Sequence, residues 1–378
     1  MSSLKVLHIS DEFEGGGAEA VFRDTLRIAS ELGFENHMLY SDGKMSVFSY
    51  IFSLKYYFKT IKILNDIKPD VIHIHNFYHY LTPSVLCAIG KYKKKRNCKV
   101  IFTAHDYHLV CPNSGFQFFK NGERKSFDPK KNNVKLGFKF DHRSSIHSLL
   151  KKAQHVVNYT VLNSISVIDH IISPSYFLMN VFKVYGITQK ISVIRNPVKF
   201  LPIERIINGT HSEFVNLVFM GRLSAEKGII EFIDKINKES TKDIAFHLYG
   251  DGELKDKIKK IALRDGVKII HHGFKQREDL ITEISKYDIF VLPSVWFENA
   301  PISIIEAAAA GLPVLVPNYG GMYEMASLTL YHYEYNYDSW GIDSLIDNAL
   351  KYRGMNRLVD ESVFSYENYK NRIDVLYR

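Results

Sequence analysis

The chain is poor in cysteine and has no long hydrophobic stretch, and both scarcities narrow the kinds of protein it can be. Three of its 378 residues are cysteine, Cys87, Cys98 and Cys111, and their spacing matches neither a disulfide framework nor a metal site. No apolar run approaches the roughly 20 residues of a membrane-spanning helix. The first residues lead straight into a short apolar segment instead of a signal peptide. These features predict a soluble, globular protein of the cytoplasm.

Internal repeats and low-complexity tracts are also absent, which excludes solenoid and disordered architectures. The sequence instead alternates short, β-rich apolar runs with helix-like segments. Such alternation predicts parallel sheets that are covered by helices on both faces. The apolar runs are residues 6–10, 37–40, 71–75, 100–103, 170–173 and 191–194 in the first half, and 215–220, 245–249, 267–271, 289–293 and 314–317 in the second.

Two series of strands, in a chain too long for one ordinary core, predict two doubly wound, Rossmann-like domains of the α/β class. We place them at residues 1–198 and 199–361, with the boundary in the passage 196–209. A last helix at about residues 362–378 carries an apolar and aromatic stripe, and we expect it to pack back on the first domain. Residues 112–145 are polar, rich in turn residues and without periodicity, which predicts a long surface excursion.

Charge is distributed unevenly between the two predicted domains. Residues 1–198 carry a net charge of +12 and residues 199–378 carry −4. A basic surface of this kind attracts anionic lipid headgroups or nucleic acid, although a solvated helix face explains any single basic run equally well. The densest run consists of Lys93, Lys94, Lys95 and Arg96.

Two glutamates in the second half are candidates for a binding site. Glu298 and Glu306 are eight positions apart, and between them Pro301 suits the first turn of a helix that Gly311 ends. Glu306 lies in an otherwise apolar segment, where an unpaired acid would be costly to bury. The pattern predicts carboxylates that accept hydrogen bonds from a polyol, beside a helix N-terminus able to hold an anion. The trivial alternative is a loop acid and a charge on a solvated helix face.

A basic pair follows the strand predicted at residues 215–220. Arg222 and Lys227 stand in a glycine-bearing turn after that strand, at the carboxyl end, where open parallel sheets bind ligands. A guanidinium fork and a mobile ammonium can divide the oxygens of a diphosphate between them. We therefore predict a diphosphate clamp, although single basic residues are commonly just surface groups.

The first half offers weaker candidates. Gly16 and Gly17 lie in a glycine run between the first strand and a helical pattern, where backbone N–H groups can approach a phosphate. Their spacing is not that of the dinucleotide fingerprint, and a flexible turn is the alternative. His105 ends a later strand and, taken alone, is more often a structural residue. His73 and His75 share one face of a strand but lack a third metal ligand.

Together these stretches resemble the family 4 glycosyltransferases, mostly retaining enzymes of the GT-B fold that use nucleotide sugars. The resemblance covers nearly the whole chain and is most specific over residues 221–324. There Glu298 and Glu306 match the family's two glutamates separated by seven residues, and the turn at residues 320–321 follows in the family's order. Residues 105–112 resemble a bacterial subgroup seen in surface-polysaccharide assembly. The excursion often carries paired cysteines in that subgroup, and here it has none beyond position 111.

The resemblance implies two domains that face each other across a cleft and a role for each matched residue. Arg222 and Lys227 would bind the donor diphosphate, and Glu306 would bind the ribose hydroxyls. Glu298 would meet the transferred sugar, and His105 would contact it near the reaction centre, so these two are the catalytic candidates. The remaining implied donor contacts are Gly16, Gly17, Phe274, Asn299, Ala300, Pro301 and Ile302.

The resemblance implies glycosyl transfer from a nucleotide sugar. We expect a hexosyl or N-acetylhexosaminyl unit from a UDP-sugar, and the basic first half leads us to expect a growing, lipid-linked oligosaccharide as the acceptor. Such a reaction serves O-antigen, capsule or exopolysaccharide synthesis, with the enzyme held peripherally at the anionic inner face of the membrane. We expect no metal and no other cofactor, because the basic pair and a helix terminus can stabilise the leaving phosphates. We also expect no nucleic-acid partner.

Several alternatives remain open. GDP-mannose or GDP-fucose could be the donor, and a GT-B nucleotide-sugar epimerase is the closest competing enzyme. A nicotinamide dehydrogenase also rests on doubly wound sheets, since fold does not decide function, but it leaves Glu298 and Glu306 unexplained. A non-catalytic nucleic-acid-binding module explains the basic half and not the two glutamates.

Overall fold

A computed structural model describes residues 3–43, 49–201, 213–337, 341–352 and 355–378. By its internal contacts the chain divides into two compact units. The first comprises residues 1–197 together with 366–378, and the second comprises residues 198–365. The part of the predicted boundary passage from residue 202 to 209 lies outside the described residues.

The first unit contains a parallel sheet and a small hairpin. Its strands are β1 (Lys5–Ile9), β2 (Glu35–Leu39), β3 (Val71–Ile74), β4 (Lys99–Thr103), β5 (Gln117–Lys120), β6 (Glu123–Ser126), β7 (His170–Ser173) and β8 (Lys190–Val193). The parallel sheet has six strands in the order β2-β1-β3-β4-β7-β8. Its helices are α1 (Gly17–Glu31), α2 (Leu54–Ile67), α3 (Ser84–Lys93), α4 (Ser145–His155) and α5 (Tyr176–Val184). The central strands β1, β3 and β4 are almost wholly buried, as expected of a sheet covered on both faces.

The predicted excursion at residues 112–145 is more ordered than its composition indicates. Strands β5 and β6 pair as an antiparallel hairpin, while Phe116, Phe127 and Phe140 are buried. The rings of Phe127 and Phe140 lie 6.0 Å apart. The prediction of a wholly surface segment is therefore wrong for these three residues. Phe116 instead packs against Tyr107 and Tyr185, with ring centroids 4.9 and 5.5 Å away.

The second unit repeats the architecture with its own six-stranded parallel sheet. The strands are β9 (Val215–Met220), β10 (Ile244–Tyr249), β11 (Val267–Gly273), β12 (Ile289–Val291), β13 (Val314–Pro317) and β14 (His332–Tyr335). Their order is β11-β10-β9-β12-β13-β14. The helices are α6 (Ile229–Glu239), α7 (Lys255–Ile258), α8 (Arg277–Ile284), α9 (Ile302–Ala309), α10 (Gly320–Ala326) and α11 (Ile342–Leu350). Two doubly wound parallel sheets confirm the predicted fold class.

The last helix, α12 (Tyr366–Tyr377), packs on the first unit. The Tyr369 hydroxyl lies 2.8 Å from Thr25 Oγ1, and the Tyr377 hydroxyl lies 2.6 Å from His73 Nδ1. Both tyrosines are buried in the core. Over the described stretches of the chain, no helix is both long enough and apolar enough to cross a membrane.

Candidate active site

The second sheet reverses its winding at β9, which lies between β10 and β12. Open α/β sheets bind ligands at such a switch point, outside the carboxyl ends of the strands. The segment after β9 carries Arg222 and Lys227, and the segment after β12 carries Glu298. Three of the residues predicted from the sequence therefore leave the sheet at its switch point.

The loop at residues 293–301 is held in place by close backbone packing. A side chain at Gly228 would overlap the carbonyl oxygen of Pro293, and one at Gly321 would overlap the carbonyl oxygen of Asn299. Only glycine can approach a neighbouring backbone this closely. The loop that presents the first glutamate is consequently fixed before any ligand arrives.

Glu298 in this loop forms an ion pair with Lys227. The glutamate is buried, with 7% of the residue exposed, and its Oε1 accepts hydrogen bonds from Lys227 Nζ at 2.6 Å and Ser294 Oγ at 2.6 Å. Burial raises the pKa of the carboxyl group, but the Lys227 charge and these two hydrogen bonds outweigh burial and hold the pKa below its usual range. Glu298 is therefore an anion at neutral pH. Its partner is Lys227, which the sequence predicts to bind a diphosphate.

Glu306 also has a cationic partner. It lies on α9, and its Oε1 accepts a hydrogen bond from Nε of Arg277, the first residue of α8. Burial raises the pKa of Glu306, and the Arg277 charge only partly offsets that rise. Arg277 Nη2 is buried and has no hydrogen-bond partner among the described residues. Arg277 Nη2 is therefore an N–H donor without a described acceptor, and it belongs to the guanidinium that binds the Glu306 carboxylate.

The start of α9 agrees with the sequence in most respects. Pro301 immediately precedes the helix, with φ −68° and ψ 112°, so it caps the helix and does not occupy its first turn. Gly311 has φ +81° just beyond the last turn, which suits a glycine that ends a helix. Asn299 is buried, whereas Ala300 and Ile302 are partly exposed. The first-turn N–H groups of such a helix have no acceptor within it.

Two other predicted donor contacts lie on the surface of the second unit. Phe274 directly follows β11 and is 72% exposed, which leaves its ring open for stacking. Arg222 is exposed next to β9. Neither side chain is held by packing, so each can adjust to a ligand.

In the first unit, β1 lies between β2 and β3 and marks the switch point of that sheet. Gly16 precedes α1, and Gly17 is its first residue. An added Cβ at Gly17 would meet nothing within 4 Å. The backbone here leaves open space in front of a helix N-terminus, as a close approach to an anion requires.

His105 follows β4, is partly buried and stacks on the buried His75. Its Nε2 lies 3.1 Å from His75 Nδ1, and burial lowers its pKa to about 4. His105 is therefore neutral at physiological pH. His73, considered above with His75 as an incomplete metal pair, contacts Tyr377 and Thr103 Oγ1 at 2.6 and 2.7 Å. Among the described residues, no group of three or more His, Cys, Asp or Glu side chains is placed to hold a metal ion.

The predicted basic patch is not uniform. Lys94, Lys95 and Arg96 are exposed. Lys93 instead places its Nζ 2.6 Å from both carboxylate oxygens of Asp169, so its charge is already paired. The exposed part of the patch consists of the other three residues.

The sequence did not single out three side chains that complete the site in the second unit. Ser294 could have been found, because it follows a strand at the switch point. Arg277 gave no local signal, since its partner Glu306 is 29 positions away. Trp296 lies between Ser294 and Glu298, with its ring centroid 5.9 Å from Lys227 Nζ.

Comparison with known proteins identifies the family. The family model described as Glycosyltransferase Family 4 matches residues 15–200, and the model described as Glycosyl transferases group 1 matches residues 203–351. The chain belongs to the family 4 glycosyltransferases. The enzyme is thus a glycosyltransferase, as the resemblance implied.

Relatives and solved structures agree with this assignment. An uncharacterized 42.6 kDa protein in the cps region of Klebsiella pneumoniae is 29% identical over 72% of this chain and 65% of its own length. The UDP-Gal:alpha-D-GlcNAc-diphosphoundecaprenol alpha-1,3-galactosyltransferase of Escherichia coli is 33% identical over 37% of this chain and 39% of its own. The structure of the lipopolysaccharide outer core galactosyltransferase WaaB superposes with a TM-score of 0.62 at 15% identity, covering 99% of this chain and 100% of that one. This glycosyltransferase therefore has the GT-B fold.

Proposed function

We propose that this glycosyltransferase moves a hexosyl or N-acetylhexosaminyl unit from a UDP-sugar to a growing, lipid-linked oligosaccharide in surface-polysaccharide synthesis, with retention of configuration. The observation that carries the proposal is the buried Lys227–Glu298 pair at the switch point of the second sheet, followed along the chain by the Arg277–Glu306 pair. Two similar proteins support it by their names. One uses UDP-Gal and a diphosphoundecaprenol-linked acceptor, and the other is encoded in a cps region.

The departing diphosphate meets positive charge in this site. A lysine ammonium has three N–H donors, so its bond to Glu298 leaves Lys227 two for phosphate oxygens. The exposed Arg222 adds a planar fork of donors, and the N-terminal end of α9, with its positive dipole end, adds a third source. Donors fixed where charge develops lower the barrier to bond breaking. We assign these groups, and no metal ion, to the leaving phosphates.

The nucleoside would be held by the second pair. A carboxylate has about four acceptor positions on its two oxygens, so Glu306 can hold Arg277 and still accept hydrogen bonds from ribose hydroxyls. The exposed ring of Phe274 would flank the base. UDP is our preferred nucleotide, and GDP is the alternative.

In the proposed reaction, the bond between the anomeric carbon and the phosphate oxygen breaks, and its electron pair leaves on the nucleoside diphosphate. The acceptor hydroxyl forms the new bond on the same face of the sugar. Its proton passes to the departing phosphate oxygen. The Glu298 anion would stabilise positive charge that develops on the sugar, and neutral His105 would contact the sugar without adding charge.

The acceptor is assigned to the first unit and the anionic membrane surface. The predicted first domain carries the excess positive charge, and exposed basic residues near an anionic bilayer each contribute roughly 1 kcal/mol to binding. Lys94, Lys95 and Arg96 are the exposed residues of this kind in the patch. Peripheral attachment at the inner face of the membrane would bring the enzyme to its lipid-linked substrate.

A donor panel tests the proposal. UDP-glucose, UDP-galactose, UDP-N-acetylglucosamine, GDP-mannose and GDP-fucose are added singly, and the melting temperature and nucleotide release are measured. At least one UDP-sugar should raise the melting temperature and be turned over. Stabilisation by GDP-sugars alone would overturn the UDP assignment, and a flat panel would overturn the proposed function.

A further inference from the structure

Trp296 presents an unused hydrogen-bond donor within the proposed donor site. Its indole ring is half-buried, and its Nε1 atom is buried with no acceptor in the described parts of the chain. The N–H lies near the Glu298 carboxylate and helps to lower the pKa of that group, but the contact falls short of hydrogen-bond geometry. A buried donor left unpaired costs free energy and calls for an explanation.

The backbone that carries the ring is held in place. The backbone N–H of Val295 donates to the Glu226 carbonyl at 3.0 Å, and the N–H of Glu298 donates to the Trp296 carbonyl at 3.1 Å. The backbone on both sides of Trp296 is therefore fixed. An indole N–H on a fixed backbone is a preorganised donor, able to meet an acceptor that arrives with a ligand.

We propose that the Trp296 indole N–H donates a hydrogen bond to a hydroxyl oxygen of the sugar being transferred, which makes Trp296 a specificity-determining residue of the donor site. The inference rests on the proposed function, since it needs a nucleotide sugar in the second unit. The chemistry of the donor favours a hydroxyl over a phosphate oxygen. The N–H is uncharged and its neighbour Glu298 is the residue assigned to the sugar, whereas the phosphate oxygens have the cations Lys227 and Arg222 to bind.

A site that hydrogen-bonds one substrate hydroxyl rejects analogues that lack it, because the buried donor is then left unpaired. Trp296 would thus discriminate among sugars that differ at one carbon, while the nucleotide portion is read elsewhere. A free nucleoside diphosphate lacks the transferred sugar, so its binding does not depend on the Trp296 N–H.

The test compares Trp296→Phe, which keeps an aromatic ring and removes the N–H, with the unmodified enzyme. Calorimetry measures the Kd of UDP and of the UDP-sugar that stabilises the enzyme most in the panel above. We expect about a tenfold weaker Kd for the UDP-sugar and a change below twofold for UDP. Equal weakening of both ligands would overturn the proposal in favour of a phosphate contact or a structural role, and unchanged binding of both would overturn it outright.

Monodeoxy versions of the same UDP-sugar identify the hydroxyl. One of them should bind the unmodified enzyme about tenfold more weakly than the parent sugar, and Trp296→Phe should bind that analogue and the parent equally. A loss that is the same in both proteins for every analogue would contradict the contact.

A fluorescence arm does not depend on activity. The chain has two tryptophans, Trp296 and Trp340, so Trp340→Phe leaves Trp296 as the single emitter. Its emission should change more with the UDP-sugar than with UDP, and an identical response to both would count against the proposal. If the unmodified enzyme binds no nucleotide sugar at all, the proposed function itself has failed, and that outcome is distinct from selective failure of the Trp296 contact.

Discussion

At the switch point of the second unit, two buried or nearly buried carboxylates are each paired with a cation, whereas the corresponding strand ends of the first unit carry histidines that burial keeps neutral. Glu298 with Lys227 and Glu306 with Arg277 represent the first case. His105, whose pKa is lowered to about 4, represents the second. The same sheet architecture thus presents carboxylates paired with cations in one unit and neutral histidines in the other. This difference suits a donor with a diphosphate leaving group and an acceptor that reacts through a neutral hydroxyl.

The largest expected effect tests the charged site. Lys227→Ala should reduce turnover by about 10²–10³-fold, the usual result of removing one group that stabilises developing charge. Steady-state kinetics with the donor chosen from the panel measures it. Lys235→Ala is the matched control, because Lys235 forms an ordinary helix-surface pair with Glu239 at 2.7 Å, and its activity should be unchanged. Near-normal turnover of Lys227→Ala would show that Lys227 does not stabilise the departing diphosphate.

The neutral character of the first unit can be tested through pH. Asp106 accepts hydrogen bonds from the Tyr78 hydroxyl and the His108 N–H, and burial raises its pKa to about 7. A raised carboxyl pKa means that the folded state binds the proton more tightly, so stability falls as pH rises from about 4 to about 7. Asp106→Asn should remove this loss. Between pH 5 and pH 8, the free energy of unfolding should therefore fall by ~2–4 kcal/mol more in the original protein than in the variant. Urea unfolding at both pH values measures the difference, and parallel pH profiles would contradict it.

Packing at the two switch points also differs. Gly321→Ala forces a methyl group against the Asn299 carbonyl oxygen and should cost ~2–3 kcal/mol of stability by overpacking. Gly17→Ala meets open space, so its stability should stay within about 0.5 kcal/mol of the original. Thermal unfolding compares the two variants. Equal destabilisation would show that the glycines of the two units are not used differently.

The two glutamates should separate nucleotide binding from sugar transfer. Glu306→Gln is expected to weaken UDP binding by about tenfold, or ~1.4 kcal/mol, through lost contacts to the ribose hydroxyls. Glu298→Gln should affect mainly transfer of the sugar. Calorimetry with UDP decides between them, and an equal loss of affinity in both variants would contradict the assigned roles.

The smallest effect is expected at the basic patch. Replacing Lys93, Lys94, Lys95 and Arg96 together by Ser should weaken binding to anionic vesicles by at least about tenfold at low salt, since each exposed charge near an anionic surface contributes roughly 1 kcal/mol. Lys93→Ser alone should change vesicle binding little, because its charge is paired with Asp169. Vesicle sedimentation measures both variants. Identical sedimentation of the fourfold variant and the original would show that the patch is only a solvated face.

The parallel strands could be predicted from sequence because each is a short apolar run with its own local signal. Strand β14 was not predicted, because it reads His-Tyr-Glu-Tyr at a sheet edge and only Tyr335 is buried. The burial of Phe116, Phe127 and Phe140 was not predicted either, because their spacing follows no regular period. Local patterns cannot reveal such contacts.

The same limit applied to the site. Glu298, Lys227 and Glu306 could be singled out from residue type and position after a strand. Their pairing could not be predicted, since Lys227 and Glu298 are 71 positions apart and meet only through the sheet. Ser294 and Arg277 were missed for a related reason, because neither stands out until its carboxylate partner is in place.

Amide hydrogen exchange of the full chain, with and without a saturating UDP-sugar from the panel, shows whether the charged switch point of the second unit holds the donor. Binding should slow exchange at residues 221–228 and 294–303, where the proposed phosphate and sugar contacts lie. Protection that leaves both segments unchanged, while the sugar demonstrably binds, would contradict the account.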